Sequence, residues 1–132
     1  MTWRDYVCNE CHHKKRAGKL FDALKNFRTR SEQCPNCAHA MELLLYFDFG
    51  LDVGRTRCKV LEVFLPKRLT RWNSVVFYPF LVVLKRGRTQ AFWLPYWHVE
   101  AGKLKYGQWA PFMDESLFKD LLLQAQQRGY LR

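Results

Sequence analysis

Two Cys-x-x-Cys pairs, Cys8-Asn-Glu-Cys11 and Cys34-Pro-Asn-Cys37, constrain this chain more than any other feature. A closed metal shell wants four thiolates in a tetrahedron, about 2.3 Å from a zinc ion. Each Cys-x-x-Cys turn delivers two thiolates from one knuckle, so two knuckles complete the shell with no open position. The 22 residues between the pairs exceed the ~15–20 usual for this pattern, so an insertion is expected between the knuckles. Other chemistries fit less well. Cys8-Asn-Glu-Cys11-His12 matches the haem-attachment pattern but leaves the second pair unexplained, and such attachment takes place outside the cytosol. A thioredoxin-type pair sits at a helix N-terminus within a βαβ unit, which surrounds neither pair. Disulfides would need an oxidising compartment and would be strained across two residues. Spacing alone leaves iron open beside zinc. The expectation is one structural Zn2+ per chain, on Cys8, Cys11, Cys34 and Cys37. The fifth cysteine, Cys58, reads as a small buried strand residue, with a thiol activated by Arg57 and Lys59 as the sharper alternative.

The aromatic residue two before the first cysteine (Tyr6-Val7-Cys8), the Cys-x-x-Cys it leads into and Cys34-Pro35-Asn36-Cys37 together resemble the zinc-ribbon, or rubredoxin-like, family. The resemblance covers about residues 3–49 and implies a four-cysteine zinc module. It implies no single function, because ribbons serve nucleic-acid binding, protein docking and purely structural roles. Ala38 departs from the pattern, standing where these knuckles often place glycine. Ala17, Leu20, Phe21, Leu24 and Phe27 form a helical stripe between the knuckles, ringed by Lys14, Lys15, Arg16, Lys19, Lys25, Arg28 and Arg30. Ribbons usually carry hairpin strands there, so treble-clef-like variants stay open. No resemblance extends over residues 50–132.

Beyond the second knuckle, Met41, Leu43, Leu45, Phe47 and Phe49 alternate with polar residues as a half-buried strand, with Leu44 the exception. Gly50–Gly54 reads as a turn and Cys58–Leu65 as a second strand ended by Pro66. Val75–Leu84 is apolar throughout, and Pro79 within it argues for a bulge or an edge. Lys85-Arg86-Gly87-Arg88 reads as a hairpin turn, with the return strand over about Gln90–Val99. Ala101-Gly102-Lys103 then turns into a strand ending near Trp109. A final helix carries Asp114 as N-cap, Leu117, Phe118, Leu121, Leu122 and Ala125 as a buried stripe, and Gly129 at C′ with Tyr130 behind it. The fold expected is α+β: an N-terminal four-cysteine zinc ribbon with a helical insertion (residues 1–49), packed on an antiparallel sheet of about five strands with a C-terminal covering helix (residues 50–132).

The chain has 132 residues with 48% apolar and 16% aromatic content, enough to build a core, which excludes disorder as its overall state. Its longest apolar run, Val75–Leu84, is ten residues, against roughly 20 for a membrane span. The polar N-terminus lacks a secretory h-region, so a cytoplasmic location is expected. Net charge is +10, with eight basic and four acidic residues in 1–40 and fourteen and eight in 41–132. Cations gather where turns are expected, at Arg55, Arg57, Lys59, Lys67, Arg68, Arg71, Lys85, Arg86, Arg88, Lys103 and Lys105. Several cationic tips at one end of a sheet would make a field able to hold phosphates, and Arg suits that role through its planar fork. Keeping a small hydrophobic protein soluble is the plainer reading of the same charge.

In Phe92-Trp93-Leu94-Pro95-Tyr96-Trp97-His98, one continuous strand would put Phe92, Tyr96 and His98 on one face and Trp93 and Trp97 on the other. Core packing is the plainer reading of these aromatics; otherwise one face would be core and the other a platform for bases or for a protein partner. His39 and His98 read as structural or solvent-exposed; His12 and His13, beside Cys11, could replace a cysteine in the shell, but four thiolates already suffice. The chain carries no nucleophile motif, phosphate loop or helix with paired metal histidines. The function expected is a non-enzymatic, zinc-stabilised protein binding nucleic acid. Arg55, Arg57, Lys67, Arg68, Arg71, Lys85, Arg86 and Arg88 would contact phosphates, and Trp93, Tyr96 or Trp97 would stack on bases. The alternative is a protein-interaction module, such as a small subunit, adaptor or inhibitor of a larger nucleic-acid-processing machine.

Overall fold

The computed structural model describes residues 3–29, 32–48, 55–107 and 112–131. In chain order the elements are β1 (Trp3–Val7), β2 (Lys14–Arg16), α1 (Leu20–Lys25), β3 (Glu42–Asp48), β4 (Arg55–Phe64) and β5 (Thr70–Trp72). There follow β6 (Val75–Pro79), β7 (Leu81–Arg86), β8 (Thr89–Trp93), β9 (Tyr96–Glu100), β10 (Lys103–Tyr106), β11 (Phe112–Asp114) and α2 (Glu115–Gln127). The chain is α+β, with two antiparallel sheets ordered β11-β8-β7-β4-β3-β1-β2 and β10-β9-β6-β5. The turn expected at Gly50–Gly54 and the strand end near Trp109 lie outside the described residues, as do the side chains of Asp48, Arg55 and Asp114.

Residues 50–132, expected to form one sheet of about five strands, carry eight strands, β4–β11, among the described residues, divided between the two sheets, and proline accounts for much of the difference. Val75–Leu84 is two strands, broken after Pro79, and Gln90–Val99 is two strands, broken at Leu94-Pro95. Proline cannot donate to a ladder, and both breaks fall at one level of a long hairpin. The Phe80 amide donates to the Pro95 carbonyl across that corner at 2.9 Å, and the β7–β8 register continues unshifted into β6–β9. One hairpin thus crosses from the first sheet to the second. Its tip is Gly87-Arg88, with Gly87 at φ 59°, where a turn needing positive φ favours glycine. A bulge between Val60 and Glu62 adds bend to β4.

The core fills the concave side of this corner. Leu43, Leu45, Phe47, Val60, Val82, Leu84, Trp93 and Trp97 form one buried cluster with Ala23 and Leu24 of α1. Residues from both sides of position 50 thus share that cluster. Phe21 of α1 packs on the Tyr78, Phe80 and Trp97 rings at 5.1, 5.5 and 5.2 Å between centroids. The helix expected between the knuckles exists, but it is only six residues long. Lys14–Arg16 is not its exterior: these residues form β2, which pairs with β1 around the first knuckle. A hairpin around the first knuckle and a helix are therefore both present. Three successive basic residues on this edge strand also discourage pairing with another chain.

The C-terminal helix is where the expectation fails most clearly. α2 touches the sheet at β8 and β11, with Phe118 stacked on Phe92 at 4.7 Å. Leu117, Leu121, Leu122 and Leu123, however, are all more than 40% exposed. The stripe is apolar but mostly uncovered, so α2 is not a covering helix. Its C-terminus does form the expected cap: Gly129 has φ 81°, and the Gly129 and Tyr130 amides donate to Gln126 and Ala125. Tyr130, 86% exposed, makes no hydrophobic contact behind that cap. No helix among the described residues is long and apolar enough to cross a membrane.

Candidate metal centre and basic surface

The two knuckles adopt the same backbone conformation. The Cys8 amide donates to the His13 carbonyl at 2.9 Å and the His12 amide to the Cys8 carbonyl at 2.9 Å. In the second knuckle, Cys34 donates to His39 and Ala38 to Cys34, each at 2.8 Å. The residue after each second cysteine is left-handed, His12 at φ 62° and Ala38 at φ 63°. Ala38 thus occupies a position that glycine would adopt without steric cost. β1 and β2 hold the first knuckle, and an isolated bridge between Gln33 and Ala40 closes the second.

The four sulfurs converge, all within 4.8 Å of one another. The Cys8–Cys37 and Cys11–Cys34 separations are 3.4 Å and the Cys11–Cys37 separation is 3.8 Å. A tetrahedron of thiolates at 2.3 Å from its centre has edges of about 3.8 Å, so the cluster has the size that a metal ion requires. Cys8 and Cys34 are buried, Cys37 is half-buried and Cys11 is exposed. Burial pushes the Cys34 thiol up, but the Asn36 and Cys37 amides outweigh it and hold the thiol at about 7. For Cys37 the His39 amide pulls down, yet Cys8, burial and the remaining cysteines leave it pushed up to about 12. Cys8 is likewise held down, chiefly by the Cys11 amide. Four thiols this close cannot all ionise unaided, because each anion raises its neighbours; a bound cation removes that conflict. An ion held by all four sulfurs would have no place for an activated water.

Cys58 is buried between sheet neighbours, and burial pushes its thiol up, only partly countered by Arg86. That is the behaviour of the structural cysteine rather than the activated one.

The expected phosphate-binding cations divide into two groups. Arg57 and Lys59 lie on β4, and Lys59 faces Lys85 of β7 directly across the ladder. With Val7, Asn9, His12 and Glu42 they line a concave pocket of about 430 Å3 on the outer face of the larger sheet, beside the first knuckle. Arg86, and Arg88 within the hairpin tip, lie at the same end. Lys67, Arg68 and Arg71 lie beyond the other end of β4, which at about 3.3 Å per residue is on the order of 30 Å long. They form a separate exposed patch.

Within the pocket, Lys59 donates to Glu42 at 2.6 Å. Burial raises the Glu42 carboxyl, and the bonds from Lys59 and Asn9 more than reverse that, leaving it below its ordinary range. Three cations thus face one carboxylate, and two lysines sit directly opposite each other, an arrangement that costs stability in a sheet. Sequence alternation through Arg57-Cys58-Lys59 puts Lys59 beside Arg57. The contributions of Lys85, Glu42, Asn9 and His12 depend on strand register, which no local pattern carries.

In the aromatic segment the tryptophans follow the core reading rather than the stacking one. Trp93 and Trp97 are 2% and 5% exposed and belong to the core, so neither turns a ring face to an unstacked base. Trp93 meets Phe47 edge-on at 5.0 Å. Tyr96 is half-buried: its ring lies near Phe77 and fills the space where a Cβ on Gly107 would sit. The register and the alternation run unshifted through Pro95, so Trp93 and Trp97 both fall on the inward face while Phe92, Tyr96 and His98 share the outer, half-buried one.

No family model, curated protein or solved structure matches the chain.

Proposed function

We propose that this is a non-enzymatic, zinc-stabilised protein that binds nucleic acid by its phosphate backbone. In this reading Cys8, Cys11, Cys34 and Cys37 hold one structural Zn2+. Arg57, Lys59 and Lys85 contact phosphates in the pocket, with Arg86 and Arg88 extending the contact along the hairpin tip. The observation that carries the reading is that pocket: three cations and one acid converge on a concave surface. A bound polyanion would relieve the lysine pair and release counterions. The all-sulfur donor set supports a structural rather than a catalytic metal.

The test is a titration of metal-loaded, nuclease-treated protein with labelled single- and double-stranded DNA and RNA at several salt concentrations. We expect affinity to fall linearly with log salt, with a slope corresponding to about four phosphates, and to fall further in an Arg57→Glu/Lys85→Glu variant. Binding that ignores both salt and these residues would overturn it.

A protein-interaction module is the second reading, and the exposed face of α2 favours it. Phe92, Phe118, Leu122, Leu123 and Leu131 line an apolar groove of about 440 Å3. The partner this helix fits is a second copy of the chain. Residues 115–131 carry two acidic and two basic side chains, so they form a neutral segment in a chain of net charge +10. Antiparallel pairing would set Glu115 of one copy near Arg128 of the other. Sedimentation equilibrium of the metal-loaded protein should then give a dimer that Leu121→Lys converts to monomer; a monomer at every concentration would remove this reading.

A further inference from the structure

A second cavity, on the other side of the larger sheet, has a different chemistry from the basic pocket. It measures about 450 Å3 and is lined by Arg4, Lys19, Leu20, Phe21, Trp97, Leu104 and Tyr106. Its walls come from distant parts of the chain: Arg4 from β1, Lys19–Phe21 from the start of α1, Trp97 from β9, and Leu104 and Tyr106 from β10 at the sheet edge. It exists because the cysteine-bearing segment packs against the smaller sheet. Phe21 meets Trp97 edge-on at 5.2 Å, and Trp97 meets Tyr106 edge-on at 5.2 Å, so the floor is a chain of aromatic rings in contact. Trp97 contributes only floor, but Tyr106 and Leu104 are 43% and 47% exposed and form an accessible wall. Burial, with Tyr96 nearby, pushes the Tyr106 phenol up, which keeps it neutral.

The polar rim is wholly cationic. Arg4 Nε donates to the Gly18 carbonyl, which fixes its guanidinium at the rim, and the exposed Lys19 stands beside it. No carboxylate lines this cavity among the described residues. An aromatic-walled, apolar interior with positive charge at one side fits a ligand that is aromatic and anionic at one end. The volume falls within the roughly 300–1,000 Å3 of small-molecule sites.

We propose that this cavity binds one nucleotide unit, its base against Tyr106 and Leu104 and its phosphate between Arg4 and Lys19. The choice of ligand rests on the nucleic-acid reading above. The same chemistry is offered by a free mononucleotide and by an unstacked residue of a single strand, where base–aromatic stacking is sequence-tolerant. The sequence gives little sign of this site, because Arg4, Lys19 and Tyr106 belong to three unrelated segments.

Calorimetric titration of the metal-loaded protein with AMP, UMP, adenosine and inorganic phosphate tests the assignment. Both mononucleotides should bind at least tenfold more tightly than adenosine or phosphate. Tyr106→Ala and Lys19→Glu should each weaken them about tenfold or more, while Tyr106→Phe retains binding through the ring. Both sites are exposed, and far-ultraviolet circular dichroism checks that each variant is folded. Mononucleotides that bind no better than phosphate, or a folded Tyr106→Ala variant with unchanged affinity, would overturn the proposal. A parallel titration with single-stranded oligonucleotide separates the two claims. If polymer binding needs Arg57 and Lys85 while mononucleotides do not bind, the phosphate-gripping surface stands and the cavity assignment falls. If mononucleotides bind through Tyr106 but no polymer binds at low salt, the cavity stands as a free-nucleotide site and the polymer reading falls.

Discussion

The two helices reverse the usual relation between length and burial. α1 has six residues and no side-chain N-cap, and a helix below ~12–15 residues is marginal in water. Yet Leu24 is 1% exposed and Phe21 packs on three rings of the bent hairpin. α2 has thirteen residues, an acidic first residue and a glycine C-cap, and Leu121 is 48% exposed. The short helix is thus supported by its surroundings: a knuckle lies on either side of it in the chain, and its apolar face fills the corner. The long helix is supported by its own sequence and leaves its apolar face open. Helical signals in a sequence thus report whether a helix forms, not what covers it.

Metal removal should separate the two most strongly. Structural zinc sites of this type have apparent binding free energies of about 10–16 kcal/mol, expressed as folding free energy. Chelation, or Cys34→Ser, should abolish metal binding and release α1, seen as loss of amide-exchange protection over residues 20–25. Protection over residues 115–127 should change little. If α1 stays protected without metal, the knuckles do not hold it and the contrast collapses.

Two leucines sharpen the same point at the next scale. Leu24→Ala empties a fully buried site and should cost about 2–5 kcal/mol, whereas Leu121→Ala should stay within about 0.5 kcal/mol. Urea denaturation of the metal-loaded variants checks both. Similar costs would mean that α2 is covered in solution, by a second copy or another partner.

The contrast also marks how far the sequence could be read. The clustering of the four cysteines was fully legible, because Cys-x-x-Cys is a local motif whose geometry is set within six residues. The strand at Leu43–Phe47 and the turns at Gly87 and Ala101-Gly102 were legible through alternation and turn chemistry. The corner was only half legible: Pro79 announced an irregularity, but that Pro79 and Pro95 fall at the same level of one hairpin depends on pairing. The same holds for the basic pocket, where register places Lys59 opposite Lys85 and sets Lys67, Arg68 and Arg71 apart. The stripe of α2 read as buried because periodicity cannot distinguish a covered face from an available one.

Ala38→Gly probes the knuckles at a smaller scale. A left-handed alanine is less favourable than glycine by roughly 1 kcal/mol, offset in part by glycine's greater freedom in the unfolded chain. A modest rise in melting temperature is expected for the metal-loaded protein, with α2 unaffected. A fall would show that the Ala38 side chain contributes contacts that outweigh its backbone strain.

The smallest expected effect lies just past the C-terminal end of α1. Arg28 Nε donates to Glu62 at 2.6 Å, and its guanidinium lies over the Phe64 ring at 5.0 Å, tying the segment after α1 to β4. The bond from Arg28 holds the Glu62 carboxyl below its ordinary value, which is about 4.3 in an unfolded chain. A depressed folded-state value means that the unfolded state binds the proton more readily. The pair therefore contributes its full stability above about pH 4.3 and loses it as pH falls through the lower, folded value. Because both groups are substantially solvent-exposed, the contribution is screened by water and salt. Glu62→Gln should flatten the acid limb of the stability profile in that window and leave the neutral-pH profile nearly parallel to the parent. The effect should shrink in 1 M salt. An acid limb with unchanged slope would show that Phe21 and Leu24 hold this end of α1 without help from the ion pair.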